Sequence, residues 1–142
     1  MKLDAFSSVP LCPSAQPHME GSTAFGVISG TVESPSVAYL TEAQPVTEKL
    51  LSLAAPVAPT EVFRFAASCE AGNCQHFDGK HCRLATRIVE KLPVATTALP
   101  ACVLRPNCRW WRQEGKSACL RCPQVVTEIY QPTALQVEVA TP

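Results

Sequence analysis

Seven of the eight cysteines in this 142-residue chain lie between Cys69 and Cys122, and their spacing is its strongest chemical signal. The first block, Cys69, Cys74 and Cys82, reads C-x4-C-x7-C, with His76 two residues after Cys74 and His81 immediately before Cys82. The second block, Cys102, Cys108, Cys119 and Cys122, reads C-x5-C-x10-C-x2-C. Thiolates are soft donors suited to zinc and to iron–sulfur clusters. The short gap between Cys119 and Cys122 lets one tight turn aim two sulfurs at one metal, and four thiolates complete a zinc site or ligate one cluster. The first block offers three thiolates plus an imidazole from His76 or His81, as a second site or as part of one shared centre. Cys12 stands far from both blocks and reads most simply as a free thiol.

Two features favour an iron–sulfur cluster over zinc. Arg105, Arg109, Arg112, Lys116 and Arg121 lie within the second block, and nearby cations stabilise thiolates and raise a cluster's potential. Cys82 stands at the expected start of a helix, whose dipole favours the thiolate. Pro123 after Cys122 is a weaker echo of the C-P that closes a bacterial ferredoxin run. The three-thiolate, one-imidazole option is the argument for zinc. Disulfides are disfavoured because the N-terminus, MKLDAFSSVPLCPS, carries Asp4 and no sustained apolar stretch. It does not read as a secretory signal, so the expected compartment is the cytoplasm, where clustered thiols stay reduced.

Trp110 and Trp111 sit between Arg109 and Arg112, with Arg105 nearby. As a surface, these five residues would hold a protein or nucleic-acid partner, the tryptophans stacking and the arginines on phosphates. As core, the pair would cover a small interior or shield a cluster from water, which its apolar area favours. No residues are assigned to catalysis. Glycine-rich phosphate loops, G-x-S-x-G and H-E-x-x-H are all missing from the sequence, so an enzyme is the minority reading.

The elements that must position these groups are short. Apolar residues make up 46% and charged ones 17%, with 13 prolines, so the chain suits one domain with tails and no run suits a membrane span. Formal charge is zero, which argues against a uniformly basic nucleic-acid binder. That zero conceals a division. Residues 61–122 carry ten basic and five acidic side chains, a net of +5, against −5 elsewhere.

Residues 1–22 are expected to be a flexible tail. Residues 23–60 read as a proline-rich segment with strands at 25–29 and 37–40 and a helix capped by Thr47. Residues 61–130 form the cysteine-rich metal-binding domain. There EVFRFAA predicts a strand, and a single apolar stripe predicts a helix over 82–91, stopped by Pro93. One helical turn is expected over 107–113 and a strand face at Val125, Thr127 and Ile129. Residues 131–142 read as a loose C-terminal tail. The fold class is a small irregular α+β domain, metal-stabilised and cysteine-rich, with the proline-rich segment partly folded onto it.

The stretches TEVFRFAASC, GNCQHFDGKHCRLATRIV and LPACVLRPNCRWWRQEGKSACLRCPQVVT resemble small cysteine-rich bacterial proteins, common in cyanobacteria and sometimes loosely labelled nitrogen-fixation proteins. The resemblance covers about half the chain and implies a bacterial intracellular protein with a metal centre. The WhiB-like iron–sulfur regulators differ, because they place C-x2-C before C-x5-C and add a glycine- and tryptophan-rich turn that this chain lacks. The functional expectation is an iron–sulfur protein for electron transfer or redox sensing, working with a redox or protein partner. The alternative is a zinc-stabilised module that binds protein or nucleic acid through its Arg/Trp surface.

Overall fold

β-branched and aromatic runs broken by Gly30 and Pro35 fold into a sheet, as their spacing predicts. The computed structural model describes residues 9–31, 33–129 and 131–142. Its four strands are β1 (Leu11–Ala15), β2 (Thr23–Gly30), β3 (Pro35–Pro45) and β4 (Phe63–Ser68). They form one antiparallel sheet in the order β1-β4-β2-β3. The helices are α1 (Glu48–Ser52), α2 (Pro59–Val62), α3 (Arg83–Lys91), α4 (Arg109–Glu114), α5 (Lys116–Cys119) and α6 (Ala134–Ala140). This is a small mixed α+β architecture. Among the described residues no helix is long and apolar enough to cross a membrane.

Alternation along β4 explains the layers. Phe63, Phe65 and Ala67 point to one face, where they pack with Ala24 and with Leu50, Leu51 and Ala54 in and after α1. Ala66 belongs to the other face, with Phe25, the α3 residues Leu84, Ala85 and Ile88, Trp110 of α4, Ala118 of α5 and Val139 of α6. Because both faces are covered, five consecutive β4 residues are buried. β4 lies between β1 and β2, so sheet residues from either side of Thr60 share one core.

Local rules account for several boundaries. Thr47 caps α1 as predicted, its hydroxyl accepting from the Leu50 N–H at 3.1 Å. α3 begins just after Cys82 and ends at Lys91, matching the predicted apolar stripe. Two predicted loose segments are ordered instead. Leu11–Ala15, expected in the N-terminal tail, forms the edge strand β1, with Leu11 opposite Ser68 and Cys12 opposite Ala67. The C-terminal stretch contains α6, closed by a reciprocal box in which the Thr133 hydroxyl accepts from the Gln136 N–H and Gln136 Oε1 accepts from the Thr133 N–H. The strand expected at Val125–Ile129 does not form. Val125 is buried in the core, and the Thr127 hydroxyl pairs with that of Ser14 at 2.9 Å.

Gly115 joins α4 to α5 with φ 67° and ψ −147°, a conformation essentially confined to glycine. A Cβ there would meet nothing within 4 Å, so the cost of a side chain is conformational rather than steric. Gly115→Ala is expected to destabilise the fold by about 1–3 kcal/mol. An unchanged denaturant midpoint would contradict the role given to this linker.

Candidate metal centres

The second cysteine block is folded by short turns. A turn of 3₁₀ helix at Arg105–Asn107 separates Cys102 from Cys108, which stands at the N-terminus of α4. The Gly115 turn then reverses the chain, so that Cys119 ends α5, and Cys122 opens another 3₁₀ turn three residues later. All four thiols line one small, mostly apolar pocket with Phe25, Tyr39 and Trp110. Burial pushes the Cys108 thiol up to about 12, while the N–H groups of Trp111 and Trp110 face it and oppose the shift without closing a capping hydrogen bond. Cys102 is also raised by burial. Cys119 is raised by burial as well, against the pull of the Arg105 guanidinium beside it. Cys122 and its neighbours add to each of these shifts, as expected of thiols gathered at one place.

Cys69, Cys74 and Cys82 line a separate, larger cleft of about 730 Å³, and Cys12 lines it with them. The sheet brings Cys12 there. Cys69 continues the β1–β4 register one residue past Ser68, its N–H donating to the Pro10 carbonyl at 2.8 Å. With Cys12 opposite Ala67, Cys12 and Cys69 are diagonal neighbours on one face of the strand pair. Cys74 and Cys82 arrive from a loop closed by the Phe77–Cys82 bridge and by the Arg83 N–H donating to the His76 carbonyl at 2.7 Å. Burial pushes the Cys12 thiol up to about 12, opposed by the Ser14 N–H and reinforced by Cys82, Cys69 and Cys74. None of the eight cysteines is in a disulfide.

Arg64 stands between the two thiol sets and is fully buried. Its Nε and Nη2 donate to the Pro13 carbonyl at 3.2 and 2.8 Å, and its Nη1 donates to the Cys122 carbonyl at 2.9 Å. Nη2 also donates to Cys122 Sγ at 3.3 Å. The guanidinium lies 5.2 Å from the Phe25 ring centroid and 5.7 Å from that of Trp110. Among the described residues it has no carboxylate partner, because the one ion pair there is Lys91–Glu138. Burial works against the charge of Arg64, yet Cys122 and Tyr39 outweigh it and leave its pKa raised.

Gln113 couples the blocks from the other side. Its side-chain amide accepts from the Cys82 N–H at 2.8 Å and donates to the Cys82 carbonyl at 2.9 Å. Three donors near the thiols have no partner among the described residues, namely Arg105 Nε, Arg109 Nε and Trp110 Nε1.

The other expected site residues are dispersed. His76 lines the larger cleft, and its Nδ1 meets Arg87 Nη2 at 2.7 Å. Burial and then the Arg87 charge lower its pKa. His81 is exposed, in a turn where the Asp78 carboxylate accepts from its N–H at 2.7 Å. Trp110 is 1% exposed and lines both pockets, so it has no face to offer a partner. Trp111 is half-buried beneath Arg105. Arg105 donates to the Pro100 carbonyl, Arg112 donates to the Pro106 carbonyl and to Asn107 Oδ1, and Arg109 lies over Phe77. Among the described residues, no three His, Cys, Asp or Glu side chains converge closely enough to hold a single metal ion. Arg64 and Gln113 were not singled out by sequence, and Cys12 was read only as a free thiol. The one available signal for Arg64 was its place between Phe63 and Phe65 on a strand too apolar to face water.

Two outcomes follow from these burials. Arg64→Met leaves the Pro13 and Cys122 carbonyls without their donors, and a loss of about 3 kcal/mol or more is expected in denaturant unfolding. Arg64→Lys is expected to recover only part of it, because an ammonium cannot span both carbonyls as the planar fork does. For metal-free protein, the raised thiols set a pH dependence. Between about pH 9 and pH 12 the unfolded chain has released protons that folded Cys12 and Cys108 still hold, so stability falls as pH rises. Urea midpoints that stay level from pH 8.5 to 10.5 would contradict that burial.

Comparison with protein-family models, with curated proteins and with solved structures finds no match to this chain.

Proposed function

We propose that this chain is an iron–sulfur protein acting in electron transfer or redox sensing, with Cys102, Cys108, Cys119 and Cys122 as cluster ligands. The observation that carries the reading is the company those thiols keep. Four cysteines share one apolar pocket, and a fully buried arginine donates to Cys122 Sγ with no carboxylate among the described residues to balance it. A buried cation without a counter-ion is costly, and metal ligation supplies the counter-ion by converting thiols to thiolates. Arg105 Nε and Trp110 Nε1, on residues that line the same pocket, also lack acceptors among the described residues, and the sulfurs of an anionic cluster would supply them.

A cluster is favoured over zinc by the cations set against these thiols, Arg64 on Cys122 and Arg105 beside Cys119. In this reading Arg64 and Arg105 hold the reduced, more negative state and so raise the potential. Half-buried Cys102 and Cys119, with exposed Val94, Leu99 and Val103 on the same loop and helix region, give a partner an apolar approach.

Protein purified without oxygen is expected to be brown, to contain iron and acid-labile sulfide, and to bleach on reduction or oxidation. A colourless product without iron and sulfide overturns the reading. A zinc-loaded product that unfolds with chelator replaces it by the zinc-stabilised module.

A further inference from the structure

We infer that Cys12, Cys69, Cys74 and Cys82 form a second four-thiolate metal centre, with the N-terminal strand supplying the ligand that the first cysteine block lacks. The inference rests on the iron–sulfur reading above and extends it to a second set of residues. Three independent features place Cys12 in that role. The sheet register puts Cys12 and Cys69 on one face of the β1–β4 pair as diagonal neighbours. All four thiols line the same cleft. Cys12 is also close enough to the other three for their charges to bear on its own.

The spacing of the diagonal pair suits a cluster rather than a disulfide. Diagonal neighbours stand about 7 Å apart, whereas the Cβ atoms of a disulfide lie about 4 Å apart. The Phe77–Cys82 bridge fixes the loop that presents Cys74 and Cys82, and the Gln113 amide holds the Cys82 backbone on both sides.

The histidines are otherwise committed. An arginine only donates, so His76 Nδ1 must be the acceptor of the Arg87 bond, and the proton of the neutral ring then sits on Nε2. Neither nitrogen keeps a free lone pair for a metal. His81 is exposed in its turn and does not line the cleft. Charge compensation is local: Arg87 lies near Cys82, and Arg109, whose Nε has no partner among the described residues, lines the same cleft. On assembly with equal amounts of ferrous and ferric iron and with sulfide, each cysteine exchanges its S–H bond for an iron–sulfur bond and releases its proton to solvent, and no further oxidant is needed.

The test compares full-length wild type with Cys12→Ser, Cys102→Ser, His76→Gln and His81→Ala, each reconstituted anaerobically with ferrous and ferric iron and sulfide. Wild type is expected to hold two clusters' worth of iron and sulfide, and Cys12→Ser and Cys102→Ser about half of that each. The two histidine variants are expected to match wild type. Should Cys12→Ser fail to fold, alkylation of wild-type holoprotein reads the same point. Cys12 is expected to be protected together with Cys69, Cys74 and Cys82, and all four to become reactive together once iron is chelated. Full metal content in Cys12→Ser, or modification of Cys12 while the other three stay protected, overturns the inference. One cluster's worth of metal in wild type, with protection confined to Cys102–Cys122, overturns it while leaving the iron–sulfur reading intact. Wild type without iron and sulfide removes both.

Discussion

A single buried guanidinium organises this fold. Arg64 enters the interior from the central strand β4, where leaving any of its donors unmet would cost free energy that a domain of this size cannot spare. Every donor with a role in the interior is matched, and the acceptors come from two distant parts of the chain, Pro13 in β1 and Cys122 at the end of the second cysteine block. The same group therefore fixes the edge strand and the cysteine loop against one sheet. Phe25 and Trp110 lie near it as aromatic walls, and the indole and phenyl faces are better neighbours for a cation than aliphatic carbon.

The surplus of arginine around the cysteines has a structural side as well as an electrostatic one. Between Cys69 and Cys122 much of the backbone is turn and irregular chain, so many carbonyls find no partner in a ladder or helix. Arginines meet them. Arg121 donates to Leu92 and Ser117, Arg112 to Pro106, and Arg87 to Val139. Arg121 thus ties the end of α5 to the end of α3, Arg112 ties α4 to the 3₁₀ turn before it, and Arg87 ties α3 to α6. Much of the local excess of +5 thus meets packing needs, while Arg64, Arg87, Arg105 and Arg109 lie beside the thiols.

What could be read from sequence follows the range of the interactions involved. Thr47 as a cap, the apolar stripe of α3 and the alternation of β4 depend on residues within one or two turns, and all three are recovered. The grouping of Cys102, Cys108, Cys119 and Cys122 is also local, because the 3₁₀ turn and the Gly115 reversal keep them together. That Cys12 lies beside Cys69 was not legible, because strand pairing brings the two together across more than fifty residues. Pro10 and Pro13 weaken the strand pattern of a five-residue edge that only β4 stabilises. α6 was lost for a related reason. Its seven residues are too few to hold a helix alone, and the Arg87 bond to Val139 and the burial of that side chain supply what propensity does not.

The six residues of α4 join the two thiol sets. Cys108 at its start belongs to one set, Trp110 lines both pockets, and Gln113 near its end grips the backbone of Cys82 in the other. Arg64 adds an electrostatic link in parallel, since the carbonyls it joins belong to Pro13, next to Cys12, and to Cys122 itself. Negative charge gained at either set acts on the same fixed cation. In a low-dielectric interior that interaction is screened little, so the charge carried by one set of thiols bears on the other through Arg64.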